Sequence, residues 1–417
     1  MEIKVYAPKG VKGKICLPSS KSISNRALVL NELARFEKMP ENVSDCDDTN
    51  VMLRWLSERP EVIDIGAAGT AMRFSTALLA VGEGTHVVTG TERMKNRPIG
   101  ILVDALRKLG ADIEYVEKEG FPPLRITGNP HLEGGELTLP GNVSSQYISA
   151  LLMIGPTLKK GLRLVLSDKI ISRPYINMTL SMMRSFGAQA DWAMLDGEER
   201  CIVVAPKPYQ ARPYKVENDW SAASYWYEMV ALAPNDDAEV VLPGLFMESL
   251  QGDSQGAKLF ERLGVTTTYT GNDVVIKKNG ESIDYLEYDF VEIPDLAQTF
   301  VVTCCMLGVP FHFTGLQSLK IKETDRMEAL KTELSKLGFL LEDKQDKELL
   351  WDGTRTSNTS ISPDEIAIST YEDHRMAMAF APVALVRGSI RIKDPQVVSK
   401  SYPHYWEDLQ TIGFEIE

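Results

Sequence analysis

Leu17-Pro18-Ser19-Ser20-Lys21-Ser22-Ile23-Ser24-Asn25-Arg26 is the stretch on which the reading of this chain turns. The residues entering it, Lys14-Ile15-Cys16-Leu17, read as a short strand, and Ile23, Ala27, Leu30 and Ala34 fall at helical spacing on one apolar face. A strand is expected to run through a serine-rich turn into a helix whose first turn carries hydroxyls and two cations. The start of a helix offers unpaired N–H groups and partial positive charge, and both attract anions. Lys21 adds a point charge there, and Arg26 a planar fork suited to carboxylate or phosphate. A serine-capped helix with two solvated cations would explain the same residues. The G-x-x-x-x-G-K spacing of a nucleotide phosphate loop is absent.

Working outward, the strand–turn–helix pattern recurs at Ile65-Gly66-Ala67-Ala68-Gly69-Thr70, Leu139-Pro140-Gly141-Asn142-Val143-Ser144, Val216-Glu217-Asn218-Asp219, Ile293-Pro294-Asp295 and Thr370-Tyr371-Glu372-Asp373. Anchors at 17, 65, 139, 216, 293 and 370 lie 48, 74, 77, 77 and 77 residues apart. A second marker keeps the same register: an amphipathic helix ending at Gly110, Gly187, Gly264, Gly338 or Gly413, each expected to be a C-cap. One supersecondary unit is therefore used six times, and the class is α/β. The interval from Arg59 to Ile65 is too short for a full unit, so the first one is expected to lack about a strand pair.

The chain has 417 residues and a net charge of −13, which argues against broad nucleic-acid or membrane-surface binding. Anionic ligands would need cations focused in one place. Residues 1–5 show no apolar run behind a basic start, and five cysteines without metal-ligand spacing suit a reducing cytoplasm. The longest uncharged stretch, Leu296 to Leu319, reads as a buried helix followed by a strand, too polar for a membrane span.

If the turns converge, so do their unusual residues. The cations are Lys21, Arg26, Arg97, Lys322, Arg326, Arg375 and Lys400, with Asp295 and Glu323 as the carboxylates among them. Each has an ordinary explanation alone. Ser144-Ser145-Gln146 is either a cap or an oxyanion grip, capping would explain Ser172, and Asp325 with Glu328 makes a capping box. Together they suit two polyanionic small substrates with two carboxyl groups left for proton transfer.

In family order, Ser20–Arg26, Ala68–Arg73, Arg93–Gly100, Val143–Gln146, Ser172–Tyr175, Ile293–Asp295, Lys322–Arg326 and Asp373–Met378 make the chain resemble the 5-enolpyruvylshikimate-3-phosphate synthase family of enolpyruvyl transferases. The resemblance implies a two-domain inside-out α/β barrel in which each domain holds three βαβαββ units. Residues 1–19 with 217–417 would form one domain and 20–216 the other, with the substrates in a cleft between them. It also implies a cytoplasmic monomer that needs no cofactor or metal. The enolpyruvyl group of phosphoenolpyruvate would pass to the 5-hydroxyl of shikimate 3-phosphate, with release of phosphate. Lys21, Ser22, Arg26, Ser144, Ser145, Ser172, Tyr175, Asp295, Ser318 and Lys322 resemble the shikimate 3-phosphate residues. Lys21, Gly69, Arg97, Gln146, Arg326, His374, Arg375 and Lys400 resemble the phosphoenolpyruvate residues. Asp295 resembles the base toward the 5-hydroxyl, and Glu323, helped by Lys21, the acid toward the vinyl carbon.

The chain departs from the family at Ala67, Phe74 and Ser318, where asparagine, proline and asparagine are usual, and in the shortened first unit. Ala67 and Phe74 flank the Gly69 turn, so altered phosphoenolpyruvate binding is expected there, weaker rather than tighter. Two rivals stand beside this reading. One is a catalytically impaired relative that only binds anionic metabolites. The other is the sister family acting on UDP-N-acetylglucosamine, whose reactive cysteine is missing from Gly90–Arg97.

Overall fold

Alternating side chains make the strands: in Leu162–Ser167, Leu162, Leu164 and Leu166 are buried while Arg163, Val165 and Ser167 are only half-buried. The computed structural model describes residues 1–356 and 366–417. Gly135–Pro140 runs parallel to Leu162–Ser167, which pairs antiparallel with Glu198–Val204, itself antiparallel to Ala190–Leu195. The same order recurs in four further four-stranded sheets. Two compact units hold these sheets, Met1–Pro18 with Glu217–Glu417, and Ser19–Val216.

The first of these units contains three sheets and needs the N-terminal residues to complete two of them. Lys12–Lys14 lies parallel to Glu239–Val241, and Glu2–Tyr6 pairs with Ser389–Lys393 and with Glu415–Ile416. The strand expected at Lys14–Leu17 thus lies earlier, at Lys12–Lys14. Ile15 N–H still donates to the Val241 carbonyl (2.9 Å), but Pro18 has no N–H to continue the ladder. Likewise no strand forms at Val216, because Lys12–Lys14 already fills that place in the sheet.

The unit Ser19–Val216 contains two sheets, and its first repeat has none, so more is missing than the expected strand pair. Between the helices Lys21–Leu33 and Asp47–Glu58, residues 34–46 form only an isolated bridge from Glu41 to Lys215. Arg35 and Asn42 take positive φ there, and Pro40 lacks a donor, which leaves no run long enough to pair. Elsewhere the repeat markers hold. Gly110, Gly187, Gly264, Gly338 and Gly413 have φ of 100, 84, 86, 91 and 96°, as helix C-caps require. The sheetless repeat ends instead on Arg59 (φ 50°), held by an ion pair to Glu32 at 2.6 Å.

Helices that open the repeats pack on one another. Trp220–Leu232 is buried along its whole length and packs on Ala297–Leu307, which also meets His374–Phe380. In the other unit Lys21–Leu33, Gly69–Ala80 and Ser145–Ile154 do the same. Ala297–Leu307 followed by the strand Phe311–Thr314 is the helix and strand expected from the uncharged stretch. All five cysteines are unpaired, and among the described residues no helix is long and apolar enough to cross a membrane.

One buried group in this core has a cost. Glu228 is 0% exposed, has no ion-pair partner among the described residues, and burial raises its carboxyl well above the ordinary 4.5. The Thr303 hydroxyl beside it donates to the Thr299 carbonyl (2.7 Å). The folded chain therefore keeps a proton that the unfolded chain releases above 4.5. Stability falls as pH rises through that window, by at most about 1.4 kcal/mol per pH unit for one group. Glu228→Gln should raise the melting temperature at pH 8 and change it little at pH 4.5; an equal change at both, followed by calorimetry, would contradict this.

Candidate functional site

In the unit Met1–Pro18 with Glu217–Glu417, three helix starts, two of them at repeat turns, place charged side chains in one network. Pro294–Leu296 is a single 3-10 turn ahead of Ala297–Leu307 and carries Asp295. Asp325 caps Arg326–Lys336 by accepting from Glu328 N–H (3.1 Å), which is the forward half of the expected capping box and puts Arg326 at the first helical position. Asp373 caps His374–Phe380 by accepting from Arg375 N–H (2.9 Å).

Arg326 joins the three helix starts. Its Nε donates to Asp373 Oδ2 at 2.7 Å, Nη1 to Asp295 Oδ1 at 3.2 Å, and Nη2 to Glu323 Oε2 at 2.9 Å and Asp373 Oδ1 at 3.3 Å. Around this hub, Arg375 Nη2 lies 3.1 Å from Asp295 Oδ2, Lys322 Nζ 3.4 Å from Asp295 Oδ1, and Lys400 Nζ 2.9 Å from Glu323 Oε1. His374 is buried with its Nδ1 3.7 Å from Asp373 Oδ1. Ser318 is half-buried in the 3-10 helix Gln317–Ile321.

The electrostatics follow from these contacts. Burial pushes the Asp295 carboxyl up, but Arg375, Lys322 and Arg326 outweigh it and hold the group well below the usual carboxylate range. Its neighbour Asp253 goes the other way: burial, then the charge of Asp295, pushes it up to about 7 while Ser221 Oγ donates to its Oδ2. Burial likewise takes the Tyr225 hydroxyl to about 12, and it accepts from Arg375 Nη1 at 3.4 Å. The low basicity of Asp295 thus comes from three cations.

The unit Ser19–Val216 holds the remaining expected residues, arranged differently. Ser20 is the cap of its helix, accepting from Ile23 N–H (3.4 Å), so the capping explanation covers Ser20 and not Ser22 or Arg26. Arg26 is 2% exposed. Its Nε donates to Thr179 Oγ1 at 2.7 Å, Nη2 to Ser149 Oγ at 3.1 Å and Nη1 to the Ser22 carbonyl at 2.9 Å. Among the described residues no carboxylate pairs with it, and burial lowers its pKa to about 10, so it remains charged at neutral pH. The Phe74 and Tyr175 rings lie 5.3 and 6.0 Å from the guanidinium.

Lys21 instead meets Asp48 Oδ2 at 3.4 Å, at the start of Asp47–Glu58. Ser144 caps its helix through Gln146 N–H (3.3 Å), which leaves the hydroxyl proton for another acceptor. Ser145 is buried. Gln146 Nε2 donates to Thr70 Oγ1 at 3.1 Å, linking two repeat turns. Ser172 makes no capping hydrogen bond and sits at φ 53°, a costly conformation for serine, so capping does not explain it. Arg97 lies over Gly69, where any Cβ would come within 2.7 Å of its Nη1. Lys95, from the same charge run, is spent on Glu117 and Glu92.

Several residues were missed from sequence. Thr179 and Ser149 lie one helical turn after Tyr175 and Ser145, on the same faces, and that i+4 spacing was a usable signal. Asp373 lies inside a quoted motif. Asp48, Asp253 and Tyr225 carry no local sign of their role.

A model of the EPSP synthase family (3-phosphoshikimate 1-carboxyvinyltransferase) matches residues 5–61 and 54–409. The 3-phosphoshikimate 1-carboxyvinyltransferase of Bacteroides fragilis is 60% identical over 417 residues, covering 100% of this chain and 99% of that protein. The protein of the same name from Vibrio cholerae is 37% identical, covering 97% of each. A solved EPSP synthase from Acinetobacter baumannii is 20% identical and superposes with a TM-score of 0.76 over 100% of this chain and 99% of that one, which shows the fold. The chain belongs to the EPSP synthase family, the 3-phosphoshikimate 1-carboxyvinyltransferases.

Proposed function

We infer that both units act on one pair of anionic substrates, shikimate 3-phosphate and phosphoenolpyruvate, in an enolpyruvyl transfer of the shikimate pathway. The observation that carries this is Arg26. A buried guanidinium met, among the described residues, by hydroxyls, a carbonyl and ring faces is expensive unless an anion completes it. Ser22, Ser144, Ser145, Ser172 and Tyr175 surround the same role with hydroxyls, and we assign them with Arg26 to shikimate 3-phosphate. Lys322 and Ser318 belong to that ligand by family resemblance. Gly69, Arg97, Gln146, Arg326, His374, Arg375, Lys400 and Lys21 are assigned to phosphoenolpyruvate. The inside-out barrel of three repeats per domain is the corresponding reading of the fold.

The chemistry needs a base for the 5-hydroxyl and an acid for the methylene carbon. Glu323 is the acid: protonation makes the middle carbon of phosphoenolpyruvate electrophilic, and the hydroxyl oxygen adds there. Loss of a methyl proton and of phosphate from the tetrahedral adduct then yields the enolpyruvyl ether. Cations on the phosphate stabilise it as it leaves.

Asp295, the base, begins too weakly basic because its cations are already paired with it. Ligand anions on Arg375, Lys322 and Arg326 would draw those cations away and place negative charge nearby. Both effects raise the carboxyl's basicity only when substrates are present. The resting enzyme thus keeps its charges compensated, and loading switches the base on.

Two outcomes test this reading. Asp295→Asn and Glu323→Gln should each lower phosphate release from phosphoenolpyruvate, dependent on shikimate 3-phosphate, by roughly 100- to 10,000-fold while substrate binding survives. Near-normal turnover in either variant, or no such reaction in the parent chain, contradicts it. Raising salt from about 50 to about 500 mM should weaken both substrates, since exposed approach to a cationic site is screened over about 10 Å at 0.1 M. Affinities indifferent to salt would count against charge-based recognition.

A further inference from the structure

Phe74 stands where the family resemblance leads to the expectation of proline, and its placement differs from what its neighbours in sequence imply. Arg73 donates to the Gly69 carbonyl at 3.0 Å and the Pro98 carbonyl at 3.2 Å, on the side of the Gly69 turn. Successive helix residues point about 100° apart, so Phe74 leaves that turn altogether. Its ring is 0% exposed and lies 5.3 Å from the centre of the Arg26 guanidinium. Arg26 thereby meets four helices. It grows from Lys21–Leu33, bonds Ser149 and Thr179 on Ser145–Ile154 and Arg173–Ser185, and faces Phe74 on Gly69–Ala80.

We propose that Phe74 is a positioning residue for shikimate 3-phosphate: its ring face holds the Arg26 guanidinium in the orientation that receives that substrate's anionic group. The inference rests on the assignment of Arg26 to this substrate made above. Three N–H groups of Arg26 are spent on Thr179, Ser149 and Ser22, and a guanidinium has five. A phenyl face attracts the cation through its quadrupole yet accepts no conventional hydrogen bond, so it steadies the plane and leaves the remaining donors for a ligand. A carboxylate in that place would instead neutralise Arg26 and compete with the substrate. Proline could offer neither the aromatic face nor the reach.

The test uses the full-length enzyme, with calorimetric binding of shikimate 3-phosphate and steady-state kinetics for both substrates. Phe74→Leu should weaken shikimate 3-phosphate by about three- to tenfold, the range of a partly desolvated cation–π contact, with kcat and the KM for phosphoenolpyruvate within about twofold of the parent. Pentafluorophenylalanine in place of Phe74 keeps the shape but reverses the quadrupole, so it should weaken the same substrate even if the leucine variant folds poorly. In an Arg26→Lys background, which lacks the planar fork, Phe74→Leu should cost less than in the parent. Unchanged shikimate 3-phosphate affinity in the pentafluorophenylalanine protein overturns the proposal, as does a loss confined to phosphoenolpyruvate. Arg26→Ala separates the two levels: if it binds shikimate 3-phosphate like the parent, the assignment of Arg26 itself fails.

Discussion

Arg326 is the constraint on which the charged half of the site depends. It is 1% exposed and holds Asp295 and Asp373, from two repeat turns, together with Glu323 from the segment just ahead of its own helix. Burying a guanidinium and a carboxylate costs several kcal/mol per ion, and it is offset only when each charge is closely met. Here Asp373 serves twice, since it also caps the helix that carries Arg375. The turns are therefore locked to one another through charge, and the two proposed proton-transfer groups take fixed places on either side of one cation. Removing that cation would take from Asp373, which is fully buried, the guanidinium that meets both of its oxygens.

The other unit shows the opposite solution. Arg26 is nearly as buried, yet it is met by hydroxyls, a carbonyl and ring faces. In the proposed function, the charges compensated in one unit are shared with ligands, while Arg26 in the other is completed by one. This difference assigns roles better than a count of cations does. It also explains how a chain with a net charge of −13 can receive anions: Arg26, Arg326 and Arg375 are buried, Lys21, Arg97, Lys322 and Lys400 half-buried, and each is specifically placed.

Much of this was legible in the residues because the repeat is regular. Five C-cap glycines at a common spacing gave the unit, and the turns gave most of the site. The failures have physical causes. Lys14–Leu17 reads as a strand, but pairing is decided by a partner more than 220 residues away and ends before Pro18. The first repeat's loss of all its strands depends on residues 34–46 pairing only through the single bridge from Glu41 to Lys215, which spacing alone understated. Phe74 was grouped with the Gly69 turn by adjacency, whereas helical geometry sends it to Arg26. Asp253 and Tyr225 lie in other repeats, and only tertiary contact brings them to Asp295 and Arg375.

In the proposed function, Asp295 is a suppressed base that substrate anions release. This role is tested most directly by following the Asp295 carboxyl with carbon-13-labelled aspartate and NMR, assigned by its absence in Asp295→Asn. The titration should be run on the free enzyme and on the enzyme with shikimate 3-phosphate plus a non-reacting phosphoenolpyruvate analogue. A midpoint well below the usual carboxylate range is expected in the free enzyme, with a clear upward shift once both ligands are bound. An ordinary midpoint in the free enzyme, or one that ligands leave unchanged or lower, would contradict it.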